Sequence, residues 1–173
     1  MENKLHPIGT LGNIIPNIAT MLNRNVEQWS EKIVFQSKQD EKYQGISWKD
    51  LYNNILNISF NLKQYGFSAG DKMVIFSPNR LEMLELELAV MASGGIAVPI
   101  FAFFHKETAE LLINHSDAKY LAVAGDLQLR SVTDVHVKNI FVFDEVEKKY
   151  FPYQVAFVEL LKDRSDKEFS LNT

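Results

Sequence analysis

Residues 70–100 read GDKMVIFSPNRLEMLELELAVMASGGIAVPI, and the fold is decided there. Met73 to Phe76 is an apolar run of strand length that ends at the turn-forming Ser77-Pro78-Asn79. No Gly or Pro interrupts Arg80 to Ser93, which predicts a helix stopping at Gly94-Gly95. A second apolar run restarts through Ile96, Ala97 and Val98, so the stretch predicts a βαβ unit. Phosphate loops follow a strand and open a helix; Gly94-Gly95 follows a helix and enters a strand, and is therefore a helix stop.

Two side-chain expectations attach to this unit. Asn79, with Glu82 three residues on, predicts an N-cap in which both side chains satisfy the first amides of the helix. An anion site on the same turn is the alternative. At 100° per residue, Leu81, Met83, Leu84, Leu86, Leu88, Val90 and Met91 spread over a wide apolar arc, with Glu87 near its middle. A carboxylate there predicts burial and a partner: Arg80 two turns back, a backbone amide, or a basic group from another element. The sharper alternative for Glu87 is a catalytic role.

Upstream, Ile18 to Trp29 has helical spacing, and Ile33 to Gln36 and Tyr43 to Ile46 predict two short strands around the polar turn 38–42. Ser47 with Asp50 predicts a capping box. The helix behind it should bury Leu51, Tyr52, Ile55, Ile58 and Leu62 and stop at Gly66. Downstream, Lys106 to His115 predicts a helix, Tyr120 to Ala124 a strand, Asp126 to Val132 a weak helix and Ile140 to Phe143 a strand. Val155 to Leu161 is expected to be a further helix, and 163–173 a frayed tail. This alternation predicts an α/β fold, doubly wound, with a mainly parallel sheet and helices on both faces. The divisions expected are 1–66 (opening helix, hairpin and first amphipathic helix), 67–144 (alternating body) and 145–173 (tail), within a single domain.

The order Gly-Asp, apolar strand, Ser-x-Asn-Arg-x-Glu, long helix, Gly-Gly, Val-Pro resembles the N-terminal part of adenylate-forming acyl-CoA synthetases, nearest to their long-chain fatty acid branch. Ile46-Ser47-Trp48-Lys49-Asp50-Leu51 is similar to that family's Leu-Thr-Tyr-x-Glu-Leu element, and residues 114–123 to its helix-to-strand step. The resemblance runs from about Ile18 to Asp144. It implies a parent enzyme that adenylates a fatty acid with ATP and Mg2+ and passes the acyl group to CoA. The family's Gly/Ser/Thr-rich phosphate loop, its metal-placing acid and its catalytic lysine have no counterpart before Thr173. No catalytic, cofactor-binding or metal residue is therefore transferred, and the chain is expected to be an inactive N-terminal piece whose partners are the remainder of the enzyme and a fatty acid. The contrasting expectation is a stand-alone, non-catalytic α/β interaction module. Phe101, Phe103 and Phe104 depart from the family's polar turn after Val-Pro. They are expected to pack against other protein rather than to line a ligand cleft, and the chain is expected to form a homo-oligomer through this loop or through an edge strand.

Composition bounds the rest. With 173 residues, 46% apolar and 23% charged, the chain can bury a core, and a net charge of −4 without a basic run argues against nucleic acid. The absence of cysteine excludes disulfides and thiolate chemistry. MENKLHPIGTLG lacks a secretory apolar core, so the cytoplasm is the expected compartment. Ala89 to Phe104 is uncharged, but it is sixteen residues long and broken by Gly94, Gly95 and Pro99, which argues against a membrane span. His6, His105, His115 and His136 show no ligand spacing.

Overall fold

The computed structural model describes residues 14–39 and 41–171. Helix α1 (Ile18–Trp29) starts where the Asn17 side chain accepts a hydrogen bond from the Thr20 amide at 2.8 Å. Strands β1 (Ile33–Gln39) and β2 (Lys42–Ser47) form an antiparallel hairpin. Ser47 then caps α2 (Trp48–Gln64): its Oγ accepts from the Asp50 amide at 3.1 Å and donates to the Asp50 carboxylate at 2.7 Å. Leu51, Ile55, Ile58 and Leu62 are fully buried and Tyr52 is half-buried, so the expected stripe is present. Each fully buried aliphatic chain contributes about 1.5–3 kcal/mol.

The main sheet holds β3 (Lys72–Phe76), β4 (Ile96–Ile100), β5 (Tyr120–Val123), β6 (Asn139–Val142) and β7 (Gln154–Ala156). All pairs are parallel, in the order β4-β3-β5-β6-β7. Side-chain alternation divides the core in two. Met73, Ile75, Tyr120, Ala122 and Phe141 face α1, α2 and α3 (Leu81–Ala92). Val74, Phe76, Leu121, Val123, Ile140 and Val142 face α4 (Lys106–His115) and α5 (Asp126–Arg130). The path steps from β3 to β4 through α3 on one face, then returns past β3 to β5 through α4 on the other, as right-handed crossovers require. The direction therefore reverses between β3 and β5, the switch point of a doubly wound sheet.

Both helix stops read from the sequence are Schellman turns. At the end of α2, Gly66 (φ 85°) donates to Lys63 O and Phe67 to Leu62 O, each at 3.0 Å. At the end of α3, Gly94 (φ 77°) donates to Met91 O at 3.0 Å and Gly95 to Val90 O at 2.9 Å. Ile96 N–H faces β3, bonding Asp71 O at 2.9 Å, so Ala97 and Pro99 turn their backbone groups outward. Pro99 thereby deletes a donor from the free edge of β4 and blunts it against strand addition.

Two expectations fail beyond residue 150. The helix expected over 155–161 forms only as the short α6 (Val158–Leu161), because Gln154–Ala156 pair as strand β7. Three strand residues are too few to show a period, and β7 forms because β6 offers it a partner. The tail as far as Leu171 is not frayed: Phe169 packs edge-on against Phe60 at 5.5 Å and Leu171 is buried in the core. Asparagines on α2 hold its start. Asn57 donates to Leu161 O at 3.3 Å, and Asn61 to Leu160 O at 3.0 Å and Lys162 O at 2.8 Å, satisfying carbonyls that the end of α6 leaves open. Replacing Asn61 by Ala should cost about 1–2 kcal/mol in denaturant unfolding, with proteolysis appearing first within 162–168. An unchanged midpoint would mean that these amides do not hold the tail.

Candidate functional site

In an open parallel sheet the place for a ligand is the carboxyl edge at the switch point. Here that edge is built from the turn Ser77–Arg80 after β3, Gly125 after β5 and Asp144 after β6. Arg80 occupies its centre. Its Nε and Nη2 grip Glu82 at 2.8 and 3.0 Å, its Nη1 reaches Asp144 at 2.7 Å, and the guanidinium lies 5.5 Å from the centre of the Phe143 ring. The bidentate grip on Glu82, helped by Asp144, raises the Arg80 pKa above its already high value. In turn Arg80 holds the Glu82 carboxyl below its usual range, against the opposing effect of burial. Gly125 keeps room for this lock, since a Cβ there would come within 2.7 Å of Asp144 Oδ2.

The expected cap is therefore absent. Asn79 is exposed, the N-cap of α3 is Arg80 in extended conformation, and no side chain caps the helix. Glu82 is taken by the Arg80 fork, a stronger, charge-assisted partner than a backbone amide. The expectation for Glu87 also fails. Glu87 is half-buried and has no hydrogen bond to any side chain among the described residues, and Arg80 points to Glu82 and Asp144 instead. The buried acid is Glu85, 2% exposed, which accepts from Asn54 of α2 at 2.7 Å. Burial pushes its carboxyl up to about 7, with the Asn54 hydrogen bond opposing and the Glu82 charge adding. Because α3 is apolar nearly all round, its sequence did not fix which side faces α2. The unmatched amide of Asn54 beside Leu51 and Ile55 was the available signal.

The Gly70-Asp71 pair that opens β3 lies at the opposite, amino edge of the sheet. Asp71 accepts from the Ser68 amide at 3.0 Å and pairs with Lys119, tying β3 to β5. Burial pushes its carboxyl up, but the Lys119 ammonium and the Ser68 amide outweigh this and hold it low. This pair is structural. Of the histidines, His6 lies outside the described residues. Among the described residues no group of three His, Asp or Glu side chains is placed to hold a metal ion. No described helix is long and apolar enough to cross a membrane.

The topology defines an open, doubly wound α/β sheet with one switch point, and comparison with known proteins gives the family. The family model described as AMP-binding enzyme matches residues 22–168. This chain belongs to the AMP-binding enzyme family. It is 26% identical over 119 residues to a long-chain-fatty-acid–CoA ligase of Mycobacterium bovis, covering 69% of this chain and 20% of that protein. It is 39% identical over 85 residues to 4-hydroxybutyrate–CoA ligase 2 of Metallosphaera sedula, covering 49% of this chain and 15% of that protein. Its fold matches the crystal structure of coronafacic acid ligase from Pectobacterium brasiliense with a TM-score of 0.74 at 18% identity, covering 90% of this chain and 31% of that one. The chain thus spans a fifth or less of the length of these curated relatives, 20% and 15%.

Pro78 has no N–H to offer, the Ser77 hydroxyl is turned onto Pro78 O at 2.9 Å, and the Arg80 guanidinium is committed to two carboxylates. The Arg80 pairs lock the start of α3 to the end of β6.

Proposed function

We propose that these residues are the N-terminal part of an ATP-dependent acid–thiol ligase that adenylates a long-chain fatty acid and transfers the acyl group to CoA. The family match over residues 22–168 supports this reading most strongly. Asn79-Arg80-x-Glu82 and Gly94 to Pro99 support the long-chain branch. Relatives named for 4-hydroxybutyrate and acetate ligation define the competing acids. ATP, Mg2+ and CoA are the implied cofactors, the remainder of the enzyme is the implied partner, and the cytoplasm is the compartment. Within that enzyme the present residues act as scaffold and supply no catalytic group.

The test uses the full reading frame that carries these residues, incubated with Mg-ATP, CoA and palmitate, acetate or 4-hydroxybutyrate. Palmitoyl-CoA is expected as the leading product. A preference for acetate or 4-hydroxybutyrate would remove the long-chain assignment and keep the ligase. Absence of any acyl-CoA would overturn the ligase reading and favour a non-catalytic module.

A further inference from the structure

Strands β1 and β2 form a two-stranded sheet of their own, apart from the main sheet. Such a hairpin is marginal in water without a third strand or a covering layer. Val34 and Ile46 pack against the core and Ser47 is buried at the root, but Lys42, Tyr43, Gln44 and Gly45 are all exposed. Gly45 has no side chain, so its exposure is that of the main chain. The main sheet guards its edges, with Pro99 on β4 and only three residues in β7, whereas β2 carries neither safeguard.

The root of β2 fixes which of its backbone groups are free. Trp48 N–H bonds Lys32 O at 3.0 Å, and successive residues of an antiparallel strand turn to opposite sides, so Ile46, Gln44 and Lys42 face β1. Tyr43 and Gly45 turn their N–H and C=O outward. A second β2, laid antiparallel on this edge, matches it. Tyr43 then exchanges backbone hydrogen bonds with Gly45 of the second copy, and Gln44 meets its own counterpart on the two-fold axis. Tyr43, 72% exposed, covers the bare glycine across the seam. It also reaches Ile33, 52% exposed, whose side chain lies where a Gly45 Cβ would stand. Lys42 falls opposite Ile46, so no like charges meet. Glu41 approaches Lys49 of the second copy, whose own contact with Glu31 is loose at 4.0 Å.

We propose that this chain pairs with a second copy through β2, joining the two hairpins into one antiparallel sheet across a two-fold axis. The inference stands apart from the proposed ligase activity. A single strand seam buries less than the about 800 Å² per partner of a standard interface, so the dimer is weak, with Kd on the order of 100 µM. The chain has no cysteine, so one introduced thiol reports the seam. Across the axis the Cα atoms at position 44 should stand about 4.5 Å apart, within disulfide reach. Under mild oxidation Gln44→Cys should form a covalent dimer at least about tenfold faster than Gln36→Cys on exposed β1. Adding Tyr43→Pro, which removes an N–H that β1 does not use, should bring Gln44→Cys down to the rate of Gln36→Cys. Adding Phe101→Ser and Phe103→Ser, at the exposed corner after β4, should leave it unchanged. In the wild type, amide exchange at Tyr43 and Gly45 should slow as the chain is concentrated. Equal rates for Gln44→Cys and Gln36→Cys, cross-linking indifferent to Tyr43→Pro, loss of the dimer with the two Phe→Ser changes, or exchange at Tyr43 and Gly45 independent of concentration would overturn the proposal.

Discussion

Glu85→Gln should stabilise this chain on the order of 3 kcal/mol at pH 8 and leave its stability nearly unchanged at pH 4. The Glu85 carboxyl is 2% exposed, and burial raises its pKa in the folded chain from 4.5 to about 7. Below pH 4.5 it is protonated in both folded and unfolded states, so it adds no pH-dependent term. As pH rises from 4.5 to about 7, the unfolded chain releases the proton first, and stability falls across that window. Above pH 7 the folded chain carries a buried carboxylate whose described partner is the neutral amide of Asn54. Glutamine keeps the acceptor for Asn54 and never ionises. The measurement is urea unfolding of both proteins from pH 4 to 8, reported as their difference, so that other titrating groups cancel. A pH-independent difference would show that Glu85 does not ionise within the fold as described.

Arg80→Ala should cost about 2 kcal/mol at neutral pH, the scale of charge-assisted hydrogen bonds lost from a part-buried site. The larger share comes from Glu82, whose side chain is 32% exposed, because Asp144 at 51% exposure regains water when released. Arg80→Lys should recover less than half, since an ammonium cannot reproduce the planar fork on Glu82 while reaching Asp144. Because the lock links the start of α3 to the end of β6, amide exchange at Phe143 and Asp144 should quicken in both variants. Stability and exchange equal to wild type would mean that the network is a surface ornament.

What the sequence disclosed and what it concealed divide by the range of the signal. Helices α1 and α4 match their expected spans, and the caps at Ser47, Gly66 and Gly94-Gly95 are where they were read, because each is specified by residues within one or two turns. That the sheet is parallel with helices on both faces was legible through the alternation of elements; the strand order was not read. Strand β7 was not legible, because its three residues become a strand only beside β6.

The candidate site was the least legible part. Arg80 and Asp144 are 64 residues apart, and nothing local to either names the other. Asn79 has the composition of a cap, but the arginine beside it draws Glu82 away. For Glu87 and Glu85 the error was one of phase on an apolar helix, decided by the face that α2 covers. The asparagines at 54, 57 and 61 were visible as polar residues beside an apolar stripe, yet their partners lie on α3 and in the tail, out of reach of a local reading.

The proposed function makes these residues the scaffold of an adenylating enzyme and gives them none of its nucleotide chemistry. ATP–pyrophosphate exchange, measured on this chain alone with Mg-ATP and palmitate, tests it most directly. The account predicts exchange at the level of a protein-free blank. Exchange above that blank, persisting through repurification and scaling with the amount of this chain, would contradict it.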